Sequence, residues 1–548
     1  MAGKLALTVA LLALVISGKV SGEERMADIP RWNAYEVRLE SSRGYPNPFW
    51  DVTTTISFAS PGGKEHRVEA FWDGGRTWRA RFAPDEVGKW TWRSVCSNKS
   101  DHGLHGRKGS FKCVPYSGEN PLYLHGPLRV SKNRRYLVHA DGTPFLWLSD
   151  TAWNGVLRAR EADWERYLVI RREQGFTAVQ FVATQWRGST ADPRGQKAYR
   201  GKRHIELNYE FFQRLDPKVS AVNAHGLVAA PVILWALTES DPGRALPETD
   251  AIRLARYIVA RWGAYNVVWF LGGDGHYTGE NAPRWHRIGR ATFADRHDRL
   301  VTMHPCGLSW IAPDFRQEPW FDFIGYQSGH GDAPRHLKWL ATGPPATGWQ
   351  SEPPRPVINL EPNYEGHPAY HSKRPFTAAD VRRAAYWSLL NAPTAGVSYG
   401  TNPIWVWAYR TRVPEGHASI GPVQVWHHGL RLAGIESMTV LKRVFDGLPW
   451  WKLWPAQDCL VAQPGRKEVS RFVAVARTTD GKHLLAYTPK GGTIRIRTET
   501  VALPATASWI DPRTGKKTPV RALGRGKTAS FQTPDQRDWL LLIAPAGD

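Results

Sequence analysis

Two apolar, strand-like runs in this chain end in a carboxylate: Val-Val-Trp-Phe-Leu-Gly-Gly-Asp, closing on Asp274, and Val-Ile-Asn-Leu-Glu, closing on Glu361. Removing a carboxylate from water is costly, so an acid at the mouth of a buried strand is paired, coordinated or chemically employed. Two such acids facing one pocket can cleave a glycosidic bond. One donates a proton to the leaving oxygen and the other, ionised, attacks the anomeric carbon; different surroundings set the like groups apart. Asp274 is the shorter acid, and its flanking glycines let the backbone come closer to compensate. A loop cap or a partner for an arginine is the structural alternative for either residue.

Such acids need a scaffold that brings distant strand ends together. Strand-like runs at 145–149, 178–183, 227–234, 267–271, 300–303, 323–326, 357–360 and 395–399 alternate with helical patterns at 161–174, 209–223, 251–262 and 283–297. A capping box, Thr377 to Asp380, opens a further helix. Eight strands alternating with helices over residues 126–458 predict an α/β protein built on a (β/α)8 barrel, whose active face lies at the C-terminal strand ends. Asp274 then ends strand four and Glu361 strand seven. The other strand ends offer candidate sugar-binding residues: Asp150 and Trp153, Gln185 and Trp186, Trp235, His304, Tyr326 and Gln327, and Asn363 and Tyr364. The loop 187–203 carries six cations and one anion. Its Arg200, Lys202 and Arg203 are expected to overhang the cleft and hold an acidic substrate.

Short alternating runs punctuated by Pro-Gly-Gly and Asp-Gly-Gly over 30–125 predict an N-terminal Ig-like β-sandwich, and similar runs over 459–548 a smaller C-terminal one. Residues 1–22 read as a secretory signal: Lys4, a 12-residue apolar stretch too short to span a bilayer, then small residues. A secreted or periplasmic protein with no integral membrane segment after signal removal is expected. In that setting Cys96 and Cys113 are the expected disulfide.

With 27 tryptophans among 548 residues, the chain has many flat faces suited to pyranose rings. The net charge of +22 is concentrated in the barrel and tail; the last 90 residues carry 15 Lys and Arg against seven Asp and Glu. This excess favours an acidic carbohydrate partner, and a nucleic-acid partner is not expected. No HExxH or cysteine-rich constellation is present, so neither a catalytic metal nor a cofactor is expected.

Several motifs in order carry a specific resemblance. They are Asn-Pro-Phe-Trp-Asp (47–51), Glu-Ala-Phe-Trp-Asp-Gly (69–74), Leu-Ser-Asp-Thr-Ala-Trp (148–153), Phe-Leu-Gly-Gly-Asp (270–274), Asn-Leu-Glu-Pro-Asn-Tyr (359–364) and Asp-Gly-Leu-Pro-Trp-Trp-Lys (446–452). The chain resembles the apiosidase-like glycoside hydrolases of family 140, which combine a DUF5060 sandwich, a DUF4038 barrel and a C-terminal domain named for collagen binding. The resemblance spans nearly all of the mature chain. It implies Asp274 as acid/base, Glu361 as nucleophile, and removal of a sugar from pectic side chains of the rhamnogalacturonan II type. Two rivals remain: a secreted carbohydrate- or matrix-binding protein without activity, and a serine esterase using Ser398. Ser398 lies in Gly-Val-Ser-Tyr-Gly, which fits a nucleophile elbow, with Glu415 and His417, His427 or His428 downstream.

Overall fold

The computed structural model describes residues 26–294, 298–523 and 526–546. The segment read as a signal, 1–22, lies outside them. Among the described residues no helix is long and apolar enough to cross a membrane.

The centre is an eight-stranded parallel barrel. In chain order its strands are Trp147–Thr151, Ala178–Val182, Val228–Trp235, Trp269–Gly275, Val301–Pro305, Ile324–Gln327, Val357–Glu361 and Gly396–Gly400. Between strands five and six the seam is closed by a side chain as well as main chain. Thr302 Oγ1 donates to the Phe323 carbonyl at 2.7 Å and accepts from the Gly325 amide at 3.1 Å, while the Asp322 amide donates to the Val301 carbonyl at 2.9 Å. The barrel interior is packed: Trp147 meets Phe270 and Phe323 with centroids 6.3 Å apart. Continuous burial on both faces is why these strands read as unbroken apolar runs.

Outer helices include Glu161–Glu173, Tyr209–Ala224, Glu248–Trp262, Ala282–Phe293, Pro334–Thr342, Ala378–Leu390 and Ala433–Asp446. The helix from Ala378 starts on a completed capping box: Thr377 accepts from the Asp380 amide, and Asp380 from the Thr377 amide. Strand four runs to Gly275, past the sequence-based limit of 271, because the two glycines continue the ladder.

The N-terminal part is a seven-stranded, mostly antiparallel sheet around its own apolar core, including Ile56, Phe58, Trp78, Trp90 and Phe111. Its cysteines correct the expected disulfide. Cys113 lies opposite Gly88 in the ladder, eight residues along that strand from Cys96, which is roughly 26 Å at strand rise. Both thiols are free. The strands do neighbour each other, but the two residues sit at opposite ends of the pairing.

Buried ion pairs join the three parts. Arg261 in helix Glu248–Trp262 contacts Asp216 at 2.8 Å and Asp73 of the N-terminal sheet at 2.9 Å. The C-terminal part, a six-stranded sheet with a separate two-stranded ribbon, docks through Asp538, which receives Arg382 at 2.7 and 2.9 Å. With both partners of each pair withdrawn from water, loss of one would strand the other as a buried charge.

Candidate active site

Asp274 and Glu361 meet over His304, from the end of strand five. His304 Nδ1 lies 3.5 Å from Asp274 Oδ1, and its Nε2 lies 3.5 Å from Glu361 Oε2. One donor atom from each of the three side chains falls within a set whose members are all within 4.8 Å of one another. Such spacing also suits a cation; in this structure each imidazole nitrogen faces one carboxylate.

The backbone at Asp274 is held in an uncommon conformation. Its φ is +43°, in the left-handed region that Asp tolerates better than most residues. The glycines around it make room for neighbours. A Cβ at Gly273 would meet Val232 Cγ1 at 2.5 Å and Trp235 Cε3 at 2.6 Å, and one at Gly275 would meet the Tyr277 ring at 2.4 Å. The Gly-Gly-Asp-Gly sequence thus packs strand four beneath an aromatic wall while turning Asp274 into the cleft. Gln327 Nε2 donates to Asp274 Oδ1 at 2.5 Å and to the Pro305 carbonyl at 2.9 Å, which fixes the carboxylate.

Glu361 is surrounded by donors. His330 Nδ1 accepts from the Tyr364 amide at 3.4 Å, so Nε2 carries the proton that Glu361 Oε1 accepts at 3.0 Å. Burial alone would raise the Glu361 pKa. The His330 hydrogen bond, the charge of His304 and the Tyr364 hydroxyl outweigh it and hold this carboxyl below the usual carboxylate range. Burial works against a charge on His304, yet Asp274 and Glu361 together raise its pKa.

Linkage gives this cluster a pH window. A depressed carboxyl contributes stability that is complete above its unfolded value of about 4.5 and is lost as pH falls through the folded value. A raised histidine contributes stability that is complete below its unfolded value of about 6.5 and is lost as pH rises through the folded value. Both contributions are therefore complete only between about pH 4.5 and 6.5. Thermal unfolding across pH 3–9 is expected to show His304→Asn losing more stability inside that window than above it; an equal loss at pH 5.5 and 8.5 would contradict the assignment.

Around the acids, Trp153, Trp186, Trp235, Tyr364, Tyr370 and Trp405 form an aromatic box, with Arg187, His330, His367 and His417 among them. Its free volume is about 70 Å³. Burial, then His330, pushes His367 down to about 3, and burial, then Arg187, pushes His417 down to about 4, so both line the pocket as neutral rings.

Of the residues expected from strand ends, Asp274, Glu361, Trp153, Trp186, Trp235, Gln327 and Tyr364 line this pocket, and His304 lies directly beneath it. Four do not. Asp150 points out of the barrel into a fully buried pair with Arg171 at 2.5 Å and a hydrogen bond from Tyr167 at 2.7 Å. Tyr326 also points outward, packing on Trp310 and Trp339. Gln185 braces its own loop through the Ala198 amide and the Tyr199 carbonyl. Asn363 donates to the Gly329 carbonyl at 2.7 Å. Strand alternation accounts for the first two, since neighbouring side chains cannot share a face.

The cationic loop also needs correcting. Tyr199–Arg200 pairs with Glu206–Leu207 as a small hairpin, which is held against the N-terminal sheet by Trp50. Trp50 Nε1 donates to the Ile205 carbonyl at 2.8 Å, and its ring stacks on His204. Arg200, Lys202 and Arg203 are exposed but do not line the pocket; Arg187, at the start of the loop, does. His330, His367, Tyr370 and Trp405 were not anticipated. His330 follows Gln327 by three positions and was accessible to the strand-end argument, whereas Trp405 comes from the short helix Asn402–Val406 beyond strand eight.

Ser398 is not a nucleophile elbow. A short helix, Asn402–Val406, does follow its strand, but Ser398 Oγ donates to Gln180 at 3.1 Å and accepts from Trp147 at 3.3 Å inside the barrel. Ser398→Ala is expected to cost about 1–3 kcal/mol of stability, because Gln180 loses a buried partner, and to leave kcat/KM unchanged. Loss of activity at temperatures where the variant is folded would contradict this.

The comparisons with known proteins agree with this architecture. Residues 131–452, more than half of the chain, match the family model "Apiosidase-like, catalytic domain". Residues 28–97 match DUF5060, a domain of unknown function, and 454–544 match a domain named for collagen binding in a collagenase. No curated protein matches the chain. A glycoside hydrolase structure is similar at 24% identity and TM-score 0.70, covering 79% of this chain and 99% of its own. A family 5 glycoside hydrolase from Bacteroides vulgatus gives 23% and 0.70, covering 79% and 96%. Another Bacteroides vulgatus structure described as a glycoside hydrolase gives 18% and 0.71, covering 94% and 99%. At these identities the structures speak for the fold, and the catalytic-domain match assigns the family. The chain belongs to the apiosidase-like glycoside hydrolases.

Proposed function

We propose that the protein is an exported, retaining exo-glycosidase that removes one terminal sugar from an acidic plant polysaccharide, of which pectic side chains of the rhamnogalacturonan II type are the model. The observation that carries this reading is the approach of Asp274 and Glu361 in a single aromatic pocket. Retaining enzymes hold their carboxyl groups about 5–5.5 Å apart, and inverting enzymes leave about 6.5–9.5 Å for a water. Oxygens within 4.8 Å support the first arrangement. A free volume of only about 70 Å³ walled by aromatic rings makes this a narrow pocket rather than an open chain-binding cleft, which suits a single terminal sugar and hence exo action.

In this mechanism Glu361, kept ionised by His330 and His304, attacks the anomeric carbon while Asp274 protonates the leaving oxygen. Asp274 then deprotonates the water that hydrolyses the glycosyl-enzyme. Trp153, Trp186 and Trp235 exclude solvent and present ring faces to the sugar. Export rests on residues 1–22 and the acidic substrate on the net charge of +22. The test is NMR observation of the first anomer released from a pectic oligosaccharide: the substrate's configuration is expected, and the opposite anomer would replace retention by inversion.

A further inference from the structure

A hollow far wider than the catalytic pocket, with about 960 Å³ of free volume against about 70 Å³, separates the barrel from the C-terminal domain. One wall is helix Pro334–Thr342; the other is the segment 457–469 with Arg497. Its charge is one-sided. Lys338, Arg466, Lys467 and Arg497 line it, with Asp458 as the one lining carboxylate. Among the described residues Lys338, Arg466 and Lys467 have no carboxylate within ion-pair distance, and the neighbouring Glu468 is engaged by Lys490 at 2.7 Å and Arg471 at 3.4 Å. Arg497 donates to the Asp458 and Leu460 main-chain carbonyls, which orient its guanidinium without neutralising it. Between the cations lies the half-buried Val469, backed by the buried Ala341 and Phe472.

The groove also has a direction. Helix Pro334–Thr342 begins four residues after His330, which holds Glu361, so one end of the groove adjoins the loop that builds the catalytic pocket. The groove itself lies outside the barrel, on the side of strand six to which Tyr326 points.

We propose that this groove is a second saccharide-binding site, which holds a uronate-bearing chain while a terminal sugar is removed elsewhere on the polymer. The inference rests on the acidic-substrate reading above. Uronate carboxylates meet Lys338, Arg466, Lys467 and Arg497, and an apolar sugar face rests on Val469. The barrel and the C-terminal domain each supply part of the site, which gives the tail domain a role in the enzyme.

The experiment uses the full chain, with polygalacturonate as the acidic probe, dextran as the neutral one, and a small aryl glycoside for catalysis. The variant Lys338→Ser/Arg466→Ser/Lys467→Ser replaces exposed side chains and spares the core. It is expected to bind polygalacturonate at least about tenfold more weakly at 0.1 M salt, to lose most of the salt dependence of that binding, and to keep wild-type kcat/KM on the aryl glycoside. Unchanged affinity in the variant, or wild-type retention on dextran equal to that on polygalacturonate, would overturn the proposal. Since catalysis is read on the aryl substrate, failure of the groove and failure of the glycosidase mechanism give different results.

Discussion

Glu361→Gln is expected to lower turnover by at least the roughly 10²–10⁴-fold that separates enzymes from variants lacking a catalytic acid or base. The loss should be greater than simple removal of a hydrogen-bonding group, because the amide cannot form the glycosyl-enzyme bond. The fold should survive. Glu361 is 6% exposed, the amide is nearly isosteric, and the carboxylate's partners His330 and Tyr364 stay anchored by each other and by Trp153, which donates to the Tyr364 hydroxyl at 3.1 Å. Far-ultraviolet circular dichroism is therefore expected to match the wild type. A stronger form of the test is Glu361→Ala with azide. The truncated side chain leaves space on the face of the sugar from which the nucleophile attacks, and azide entering there is expected to restore turnover and give a glycosyl azide of inverted configuration. No rescue together with wild-type-like activity in Glu361→Gln would remove Glu361 from the reaction.

The two acids were legible in the sequence because their signal is local. Each closes an apolar strand, and a barrel brings strand ends to one face whatever the helices between them do. The alternation that creates this face also explains the errors. At each strand end one residue enters the pocket and its neighbour points to the helices, so Gln327 lines the cleft while Tyr326 packs against Trp339. The strand pattern did not reveal this phase, because both faces of a parallel strand are buried and both neighbours look apolar or employed. Asp150 is the clearest case: a buried acid at a strand end, used in an ion pair with Arg171 rather than in chemistry.

Long-range placement was the least legible. Whether the loop after strand two covers the cleft depends on the N-terminal part, where Trp50 of the short helix Pro48–Asp51 holds the hairpin beside His204. The groove between barrel and tail depends on Arg382 reaching Asp538 across 156 positions of sequence. Composition did register its consequence, since the tail carries 15 cations against seven anions, but not where those cations would gather.

Asp274→Asn is expected to show a different pattern from Glu361→Gln, and the difference separates the two roles. A general acid matters in proportion to how badly the leaving group needs a proton. On a natural glycoside, whose departing alkoxide is strongly basic, the variant should lose about 10²–10⁴-fold in kcat/KM. On an aryl glycoside with a dinitrophenolate leaving group, the first step needs no acid, so bond cleavage should proceed at near wild-type rate. The second step still lacks the base that activates water. The glycosyl-enzyme should then accumulate, visible as a burst of phenolate followed by slow turnover and as an added sugar mass on the protein. Gln327, which donates to Asp274 Oδ1, can also hold the asparagine, so the strained backbone at φ +43° has a side chain of the same shape and a residue type that tolerates that region. Equal losses on both substrates, without a burst, would mean that Asp274 orients the sugar rather than moving a proton, and the proton donor would have to be sought among the other groups facing the cleft, with His304 the first to examine.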